Sequence, residues 1–380
     1  MFMESGRRSG FGSSPASTLY DVARAAGVST ATVSRVVNGQ DRVRPSTRHR
    51  VLEAIEALGY VPDGAAQSLA QRRKEVIGLV AIESRGPETD VERDGLVFIE
   101  EVLRGVERLV GDIGWSLLIS LLRGVDAADA FQRMQKISAK VDGMLIVEGI
   151  VGPEQLALLA ARVPIALIAA HLDGPHADDI SADNRSGTRA AVCHLVEQHG
   201  RTRLFYIAGP AAAPDARERH SAFDEAVTEH PEATVAGFFE GGFGAISGQL
   251  AVRELLAGPP SELPDAIVCG NDQMAIGAMR ELQTAGIRVP ADIAVVGFDD
   301  IHLSSLLAPP LTTVRQPMRL LGERACSRLL QRIGDPALPP QVERLPTELI
   351  VRESCGCVPP DVSRPLIDQT AEASGQVVGV

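Results

Sequence analysis

The chain has 380 residues, 45% of them hydrophobic and only 4% aromatic, with a formal net charge of −12. This length fits two or three domains with aliphatic cores. It contains no apolar run of about 18 residues, which excludes a helical membrane span. Five cysteines without framework spacing point to a reducing cytoplasm, not a disulfide scaffold.

Residues 1–17 are rich in Gly and Ser and lack a continuous apolar stretch, so they read as a disordered tail and not as a secretory signal. Residues 18–62 then read as three short helices. Thr18 is a helix cap with Asp21 three residues on, and Val22, Ala23 and Ala26 share one apolar face. Gly27 permits the positive φ of a tight turn. Ser29 caps a second helix, Thr30–Val37, which buries Val33, Val36 and Val37 and closes at Asn38-Gly39. Pro45 opens a third helix with Val51, Leu52, Ile55 and Leu58 as its apolar side, and Gly59 ends it. Two helices about a glycine turn, with a third packed on them, make the helix-turn-helix pattern. Charge separates this from a bland three-helix bundle. Residues 1–74 hold eleven Lys/Arg and six Asp/Glu, a net of +5, while the remainder carries −17. A basic end on an acidic protein is the footprint of a phosphate-binding module.

The segments YDVARAAGVSTATVSRVVNG and LGYVPDGAAQSLA resemble, without gaps for about fifty residues, the headpiece and hinge of the lactose-repressor (LacI/GalR) family of bacterial transcription regulators. The resemblance implies that helix 2 reads the major groove of an operator. Thr30 and Ala31 would offer methyl contacts, and Arg35 would pair with guanine. Tyr20, Ser29, Thr32 and Ser34 would hold phosphates. The family's hinge, here within 63–74, folds when two copies meet on DNA. Ala65 and Ala66 would then lie along the minor groove, with Leu69 wedged into a base step. Two departures weaken this hinge: Asp63 stands where Asn is usual, and Gly64 lowers helix propensity.

From Val76 short apolar runs alternate with helical periodicity. The predicted strands are Val76–Ile82, Ser116–Ser120, Gly143–Val147, Ile165–Ala169, Leu204–Ala208, Thr234–Phe238, Ala266–Cys269 and Ile293–Phe298. The predicted helices are Leu96–Val110, Asp126–Ser138, Pro153–Ala161, Arg185–Gln198, Asp215–Thr228, Ala245–Leu256 and Gln273–Ala285. The alternation means parallel sheets covered on both faces, and the length means two lobes. The fold class is therefore α/β, with an all-α helix-turn-helix headpiece and a two-lobe core. Within the resemblance, residues 75–354 look like a periplasmic sugar-binding protein. The chain would cross between lobes near Ala170–Asp178, near Asp300–Leu307 and over Pro310–Pro317. Residues 355–380 read as a flexible tail without leucine heptads.

Ligands of such folds sit at the carboxyl ends of strands. The resemblance places Arg219, Asn271 and Asp299 there as partners for vicinal hydroxyls, and Phe243 as an aromatic for stacking on a sugar face. Ala169 and Ala170 replace an Asp-Arg pair common in the family, and Glu148 is a candidate substitute for the missing carboxylate. Asp299 as a cap and Arg219 as a surface ion pair remain the plain alternatives.

Other motifs exclude more than they support. EGGFGAISG lacks the spacing and the Lys-Ser/Thr of a phosphate loop. Cys355-Gly-Cys357 is a lone CxC without partners nearby in sequence, and His194 and His199 at i, i+5 miss the metal spacing of an α-helix, so no metal site is expected. No catalytic cluster appears, so neither an enzyme nor a cofactor is expected. The reading is a cytoplasmic, ligand-responsive, DNA-binding regulator. It would be a repressor acting as a homodimer on a near-palindromic operator and answering to a sugar-like effector. An activator or global regulator answering to a protein co-regulator, and a transport-type sugar-binding protein, are the alternatives.

Overall fold

The structure, a computed structural model, describes residues 17–37, 43–60, 73–83, 96–147, 152–170 and 176–358. The chain divides into two compact units, Met1–Glu75 and Val76–Val380.

The first unit holds α1 (Leu19–Ala26), α2 (Thr30–Val37) and α3 (Pro45–Leu58). The Asp21 amide donates to Thr18 Oγ1 at 3.4 Å and the Thr18 amide to Asp21 Oδ2 at 3.0 Å, a reciprocal cap that satisfies two otherwise orphaned donors. Gly27 ends α1 at φ 64°, in the left-handed region that glycine adopts without strain. The turn it makes brings in Ser29, whose Oγ accepts the Thr32 amide at 3.2 Å. Val22, Ala23, Ala26, Val33, Val36, Val51 and Ala54 form the core. The third helix departs from expectation. Leu52 is 50% exposed and Leu58 also faces outward; Ala54, three residues after Val51, is buried in their place, and such an i, i+3 step keeps two side chains on one face. Asn38-Gly39 and the hinge residues Ala65, Ala66 and Leu69 lie outside the described residues.

The second unit is two stacked-layer lobes, each a six-stranded sheet between helices. The first lobe runs β1 (Val76–Glu83), α4 (Leu96–Asp112), β2 (Ser116–Arg123), α5 (Ala127–Ser138), β3 (Gly143–Val147), α6 (Pro153–Ala160), β4 (Ile165–Ile168) and β5 (Asp178–Ala182). The second runs α7 (Asn184–Cys193), β6 (Arg203–Ala208), α8 (Pro214–Thr228), β7 (Thr234–Glu240), α9 (Ala245–Leu256), β8 (Ala266–Cys269), α10 (Asp272–Thr284), β9 (Ala294–Asp299) and β10 (Thr312–Arg315). The chain then returns to the first lobe for α11 (Met318–Gly334) and β11 (Val342–Leu345), and ends in the second with β12 (Glu348–Ile350). The strand orders are β11-β5-β4-β3-β1-β2 and β12-β10-β9-β8-β6-β7. Among the described residues every pairing is parallel except β10 with β12. β3, β4, β8 and β9 are buried along their whole length, as parallel strands covered on both faces must be. Among the described residues no helix is long and apolar enough to cross a membrane.

Of the three crossings expected between lobes, Pro310–Pro317 holds one, and the other two fall elsewhere. β4 and β5, which flank the crossing expected at Ala170–Asp178, are paired neighbours in the first lobe's sheet, and residues 171–175 lie outside the described residues. The first crossing follows at Asp183, the second at Gln316-Pro317, and the third at Pro346-Thr347 between β11 and β12. The segment Asp300–Leu307 belongs to the second lobe, where Ser304 donates to Asp272 at 2.6 Å. The first and third crossings are tied together: the Asp183 amide donates to Leu345 O at 2.8 Å and Thr347 Oγ1 to Asp183 O at 3.0 Å. β5 is hidden in the sequence by its opening Asp178-Asp179. Asp178 is fully buried but accepts Arg328 Nη2 at 3.0 Å and lies 3.4 Å from Arg332 Nη1, so its charge is paired.

Two further expectations are corrected. The helix expected over Arg185–Gln198 changes character midway, from α over Asn184–Cys193 to a π turn over His194–Gln198. The ordered core also runs past residue 354: Cys355 is fully buried in a cluster with Val192, Leu195 and Val296, so the flexible tail cannot begin there.

Candidate DNA-reading surface and effector cleft

On α2, Ala31 and Arg35 are exposed, Thr30, Thr32 and Ser34 half-buried, and Val33 and Val36 buried. Residues 31 and 35 stand one turn apart on the face opposite the valines. The helix thus seals one side against α1 and α3 and presents a small residue and a guanidinium on the other. Ser29 Oγ and Thr32 Oγ1 lie 2.9 Å apart, a local pair at the amino end where unpaired amides favour an anion. Tyr20 is 76% exposed.

In the second unit, a cavity of about 810 Å³ opens beside the second crossing, lined by Asp299, Asp300 and Gln316 of the second lobe and by Glu101, Arg104 and Met318 of the first. Asp299 ends β9 at φ 121° and Asp300 follows at φ 57°. Backbone strain of this kind persists only where the surroundings hold it, and it gathers at binding sites. Gln316 Nε2 donates to Asp299 Oδ1 at 2.6 Å. The crossing strand therefore holds the carboxylate directly.

Arg219 lies behind Asp299, only 3% exposed. Its Nε donates to Asn184 Oδ1 at 2.8 Å and its Nη1 to Gly270 O at 2.7 Å. Asp299 and Asp215 stand 3.6 and 3.5 Å from the guanidinium, which stacks on the Phe298 ring 3.8 Å from its centroid. Arg219 is therefore a buried hub and not a surface ion pair. Asn271 is engaged at both ends of its amide: Oδ1 caps α10 by accepting the Met274 amide at 3.0 Å, and Nδ2 donates to Phe243 O at 2.9 Å. Its place is to hold Phe243, which sits at φ 67°. The Phe243 ring packs over Gly209, where an added Cβ would stand 2.2 Å from ring carbon Cε1. Glu148 lies outside the described residues. Asn184, Gln316 and Asp272 were not singled out from sequence. Asn184 sits inside the landmark SADNRSG, but its bonds reach α8, thirty residues on, and no local pattern announces that.

Asp272 is fully buried. It accepts the Ile301 amide at 2.9 Å, Ser304 Oγ at 2.6 Å and the Thr313 hydroxyl. Burial pushes its carboxyl up to about 8, the Asp299 charge adds to the rise, and these hydrogen bonds oppose it. Burial likewise pushes Asp299 up to about 6, against the pull of Arg219 and Gln316. Both values lie above the ordinary 3.8, so the folded chain keeps these protons after the unfolded chain has released its own. The stability they contribute is complete below about pH 4 and is lost as pH rises through about 8. Asp272→Asn keeps the shape and removes the charge. Urea unfolding across this range is expected to show the wild type losing roughly 1 kcal/mol per pH unit more than the variant between about pH 6 and 8. Parallel pH profiles would contradict the assignment.

Residues 18–63 match the family of bacterial regulatory proteins, lacI family, and residues 192–355 match the periplasmic binding protein-like domain. The chain is 34% identical over 344 residues to the HTH-type transcriptional repressor PurR of Aliivibrio fischeri (strain MJ11), covering 89% of this chain and 98% of that protein. Among solved structures it is similar to the lac repressor dimer bound to operator and the anti-inducer ONPF, with a TM-score of 0.79, 31% identity, and 90% and 99% of the two chains covered. It is also similar to a complex of the transcriptional regulator CelR with cellobiose, with a TM-score of 0.65, 32% identity, and 89% and 99% covered. These relatives are named as transcriptional repressors and a transcriptional regulator. The chain belongs to the lacI family of bacterial regulatory proteins and is a DNA-binding transcriptional repressor of that family.

Proposed function

We propose that this repressor works in the cytoplasm as a homodimer on a near-palindromic operator, and that a small polyhydroxylated molecule, sugar-like in its chemistry, sets its hold on DNA. The observation that carries the effector reading is Asp299. It lines the cavity between lobes, sits in strained backbone, and is held by Arg219 behind it and by Gln316 of the second crossing. A ligand hydroxyl bound to Asp299 thus bears on the strand that joins the lobes. Phe243, positioned by Asn271, supplies an apolar face, and Glu148 a further acceptor. The lac repressor dimer bound to operator supports the dimer, and the CelR complex with cellobiose supports the ligand class. On DNA, Thr30, Ala31 and Arg35 read bases. Tyr20, Ser29, Thr32 and Ser34 hold phosphates. Ala65, Ala66 and Leu69 enter the minor groove, where the apolar wedge kinks the duplex.

The mechanism is linkage. The effector favours one arrangement of the lobes by its difference in affinity for the two, and DNA affinity changes by the same factor. A thermal-shift screen against sugars, sugar acids, sugar phosphates, polyols and nucleosides tests it. A ligand at 100 times its Kd adds about 2.7 kcal/mol, and Asp299→Asn is expected to abolish that shift. A shift that survives in Asp299→Asn would move the site elsewhere, and no shift with any polyhydroxylated compound would remove the ligand class.

A further inference from the structure

Four side chains that the DNA and effector sites do not use meet at the far edge of the second lobe. His194 and His199 come from the π turn and its cap after α7. Cys355 and Cys357 come from the turn after β12. Their ligand atoms all lie within 4.8 Å of one another. His194 Nε2 is 3.3 Å from His199 Nε2, 3.3 Å from Cys355 Sγ and 3.7 Å from Cys357 Sγ, and His199 Nε2 is 3.4 Å from Cys357 Sγ. Zinc in a tetrahedral site has bonds of about 2.0–2.1 Å to nitrogen and about 2.3 Å to sulfur, which sets the edges at about 3.3 Å between nitrogens and about 3.5 Å between nitrogen and sulfur. The four observed separations are close to the edges of such a tetrahedron, and the other two are within 4.8 Å. We propose that His194, His199, Cys355 and Cys357 form a structural Cys2His2 site for one zinc ion per chain.

The local backbone explains why these residues converge. In an α-helix, residues at i and i+5 point apart. A π turn, closed by i to i+5 hydrogen bonds, stacks them, and the π turn here begins at His194 and is capped by His199. Gly356 sits between the cysteines at φ 114°, backbone that favours glycine. A Cβ there would also come within 3.1 Å of His199 Nδ1. The spacer of the CxC is thus small because the second histidine lies against it. The CxC has no partners nearby in sequence because the two histidines stand about 160 residues away and come together through a helix irregularity.

The position argues for a structural role. Cys355 Sγ accepts Thr312 Oγ1 at 3.2 Å, and Thr312 opens β10 at the end of the sheet opposite Asp299 and Gln316. The ion would pin the last turn of the core to α7, closing a loop that spans nearly the whole second lobe. Four filled protein positions leave no open one for substrate, the pattern of structural zinc. A second group, Cys193, Glu197 and His230, is a poorer candidate. His230 is already bonded to Ala226 O at 2.8 Å and to Glu197 at 3.2 Å.

The test is metal analysis of the untagged full-length protein, purified under reducing conditions and incubated with zinc before gel filtration. One zinc per chain is expected. Replacement by cobalt is expected to give the intense visible bands of a tetrahedral site with sulfur ligands, and chelation to lower the melting temperature. Cys357→Ser and His199→Asn are each expected to lose at least tenfold in zinc affinity by chelator competition, whereas His230→Ala keeps the wild-type value. Should the variants not fold, the wild-type cobalt spectrum alone decides. The proposal is overturned by wild-type protein that binds no zinc, by a cobalt spectrum of six-coordinate oxygen type, or by zinc lost from His230→Ala and retained in Cys357→Ser.

Discussion

Arg219→Ala is expected to destabilise the core by about 3–5 kcal/mol, the usual cost of removing one partner from a buried charge group. The side chain is 3% exposed, so water does not replace it. Its loss leaves Asp299 and Asp215 without their cation and Gly270 O and Asn184 Oδ1 without their donor, and it exposes the Phe298 face. The deficit should depend on pH in a defined sense. Arg219 opposes the rise of Asp299; without it the folded-state value climbs further, and stability is lost more steeply as pH rises through it. Urea unfolding should therefore show a larger gap from wild type at about pH 8 than at about pH 5. Arg219→Lys restores the charge but not the fork, so it should recover only part of the loss. A gap of under about 1 kcal/mol, typical of an exposed ion pair, would show that Arg219 is not the hub of this cleft. The ligand-induced thermal shift should also fall in Arg219→Lys, because Asp299 would no longer be held.

Arg35→Ala is expected to weaken binding to the preferred operator by about 1–3 kcal/mol while leaving binding to unrelated DNA nearly unchanged. The side chain is exposed on the face of α2 opposite Val33 and Val36, so its removal should not disturb the headpiece core. Circular dichroism should confirm that. Tyr20→Phe, by contrast, removes one hydroxyl from a residue assigned to a phosphate. It should weaken preferred and unrelated DNA alike. Equal losses on both DNAs for Arg35→Ala would return this arginine to the role of a solvated surface charge.

The residues show where sequence reasoning reaches and where it stops. Strands such as Gly143–Val147 and Ala266–Cys269 are continuous apolar runs, and their limits can be read directly. The headpiece is legible because its caps and turn act within four residues: Thr18 with Asp21, Gly27, and Ser29 with Thr32. β5 is not, because Asp178 looks like a loop residue until Arg328 and Arg332, 150 residues on, neutralise it. α11 carries a readable stripe, Met318, Leu321, Ala325 and Leu329, that reasoning from alternating strands and helices passes over. At the cleft, Arg219 and Asp299 were identifiable by resemblance, but that Arg219 is buried behind Asp299, and that Asn271 holds Phe243, follows only from packing. The histidines and cysteines at the far edge failed both local tests, since a π turn and a long chain separation were needed to unite them.

The most direct test of the central claim is selection of binding sites from random double-stranded DNA by the purified full-length chain. Enrichment of one sequence with two-fold symmetry is expected, two half-sites about a flexible central step, each requiring Arg35. Symmetric half-sites mirror a symmetric dimer, and the flexible step is where a wedge lowers the cost of bending. Enrichment of an asymmetric site, or of nothing beyond general affinity for DNA, would contradict a repressor that reads its operator as a dimer.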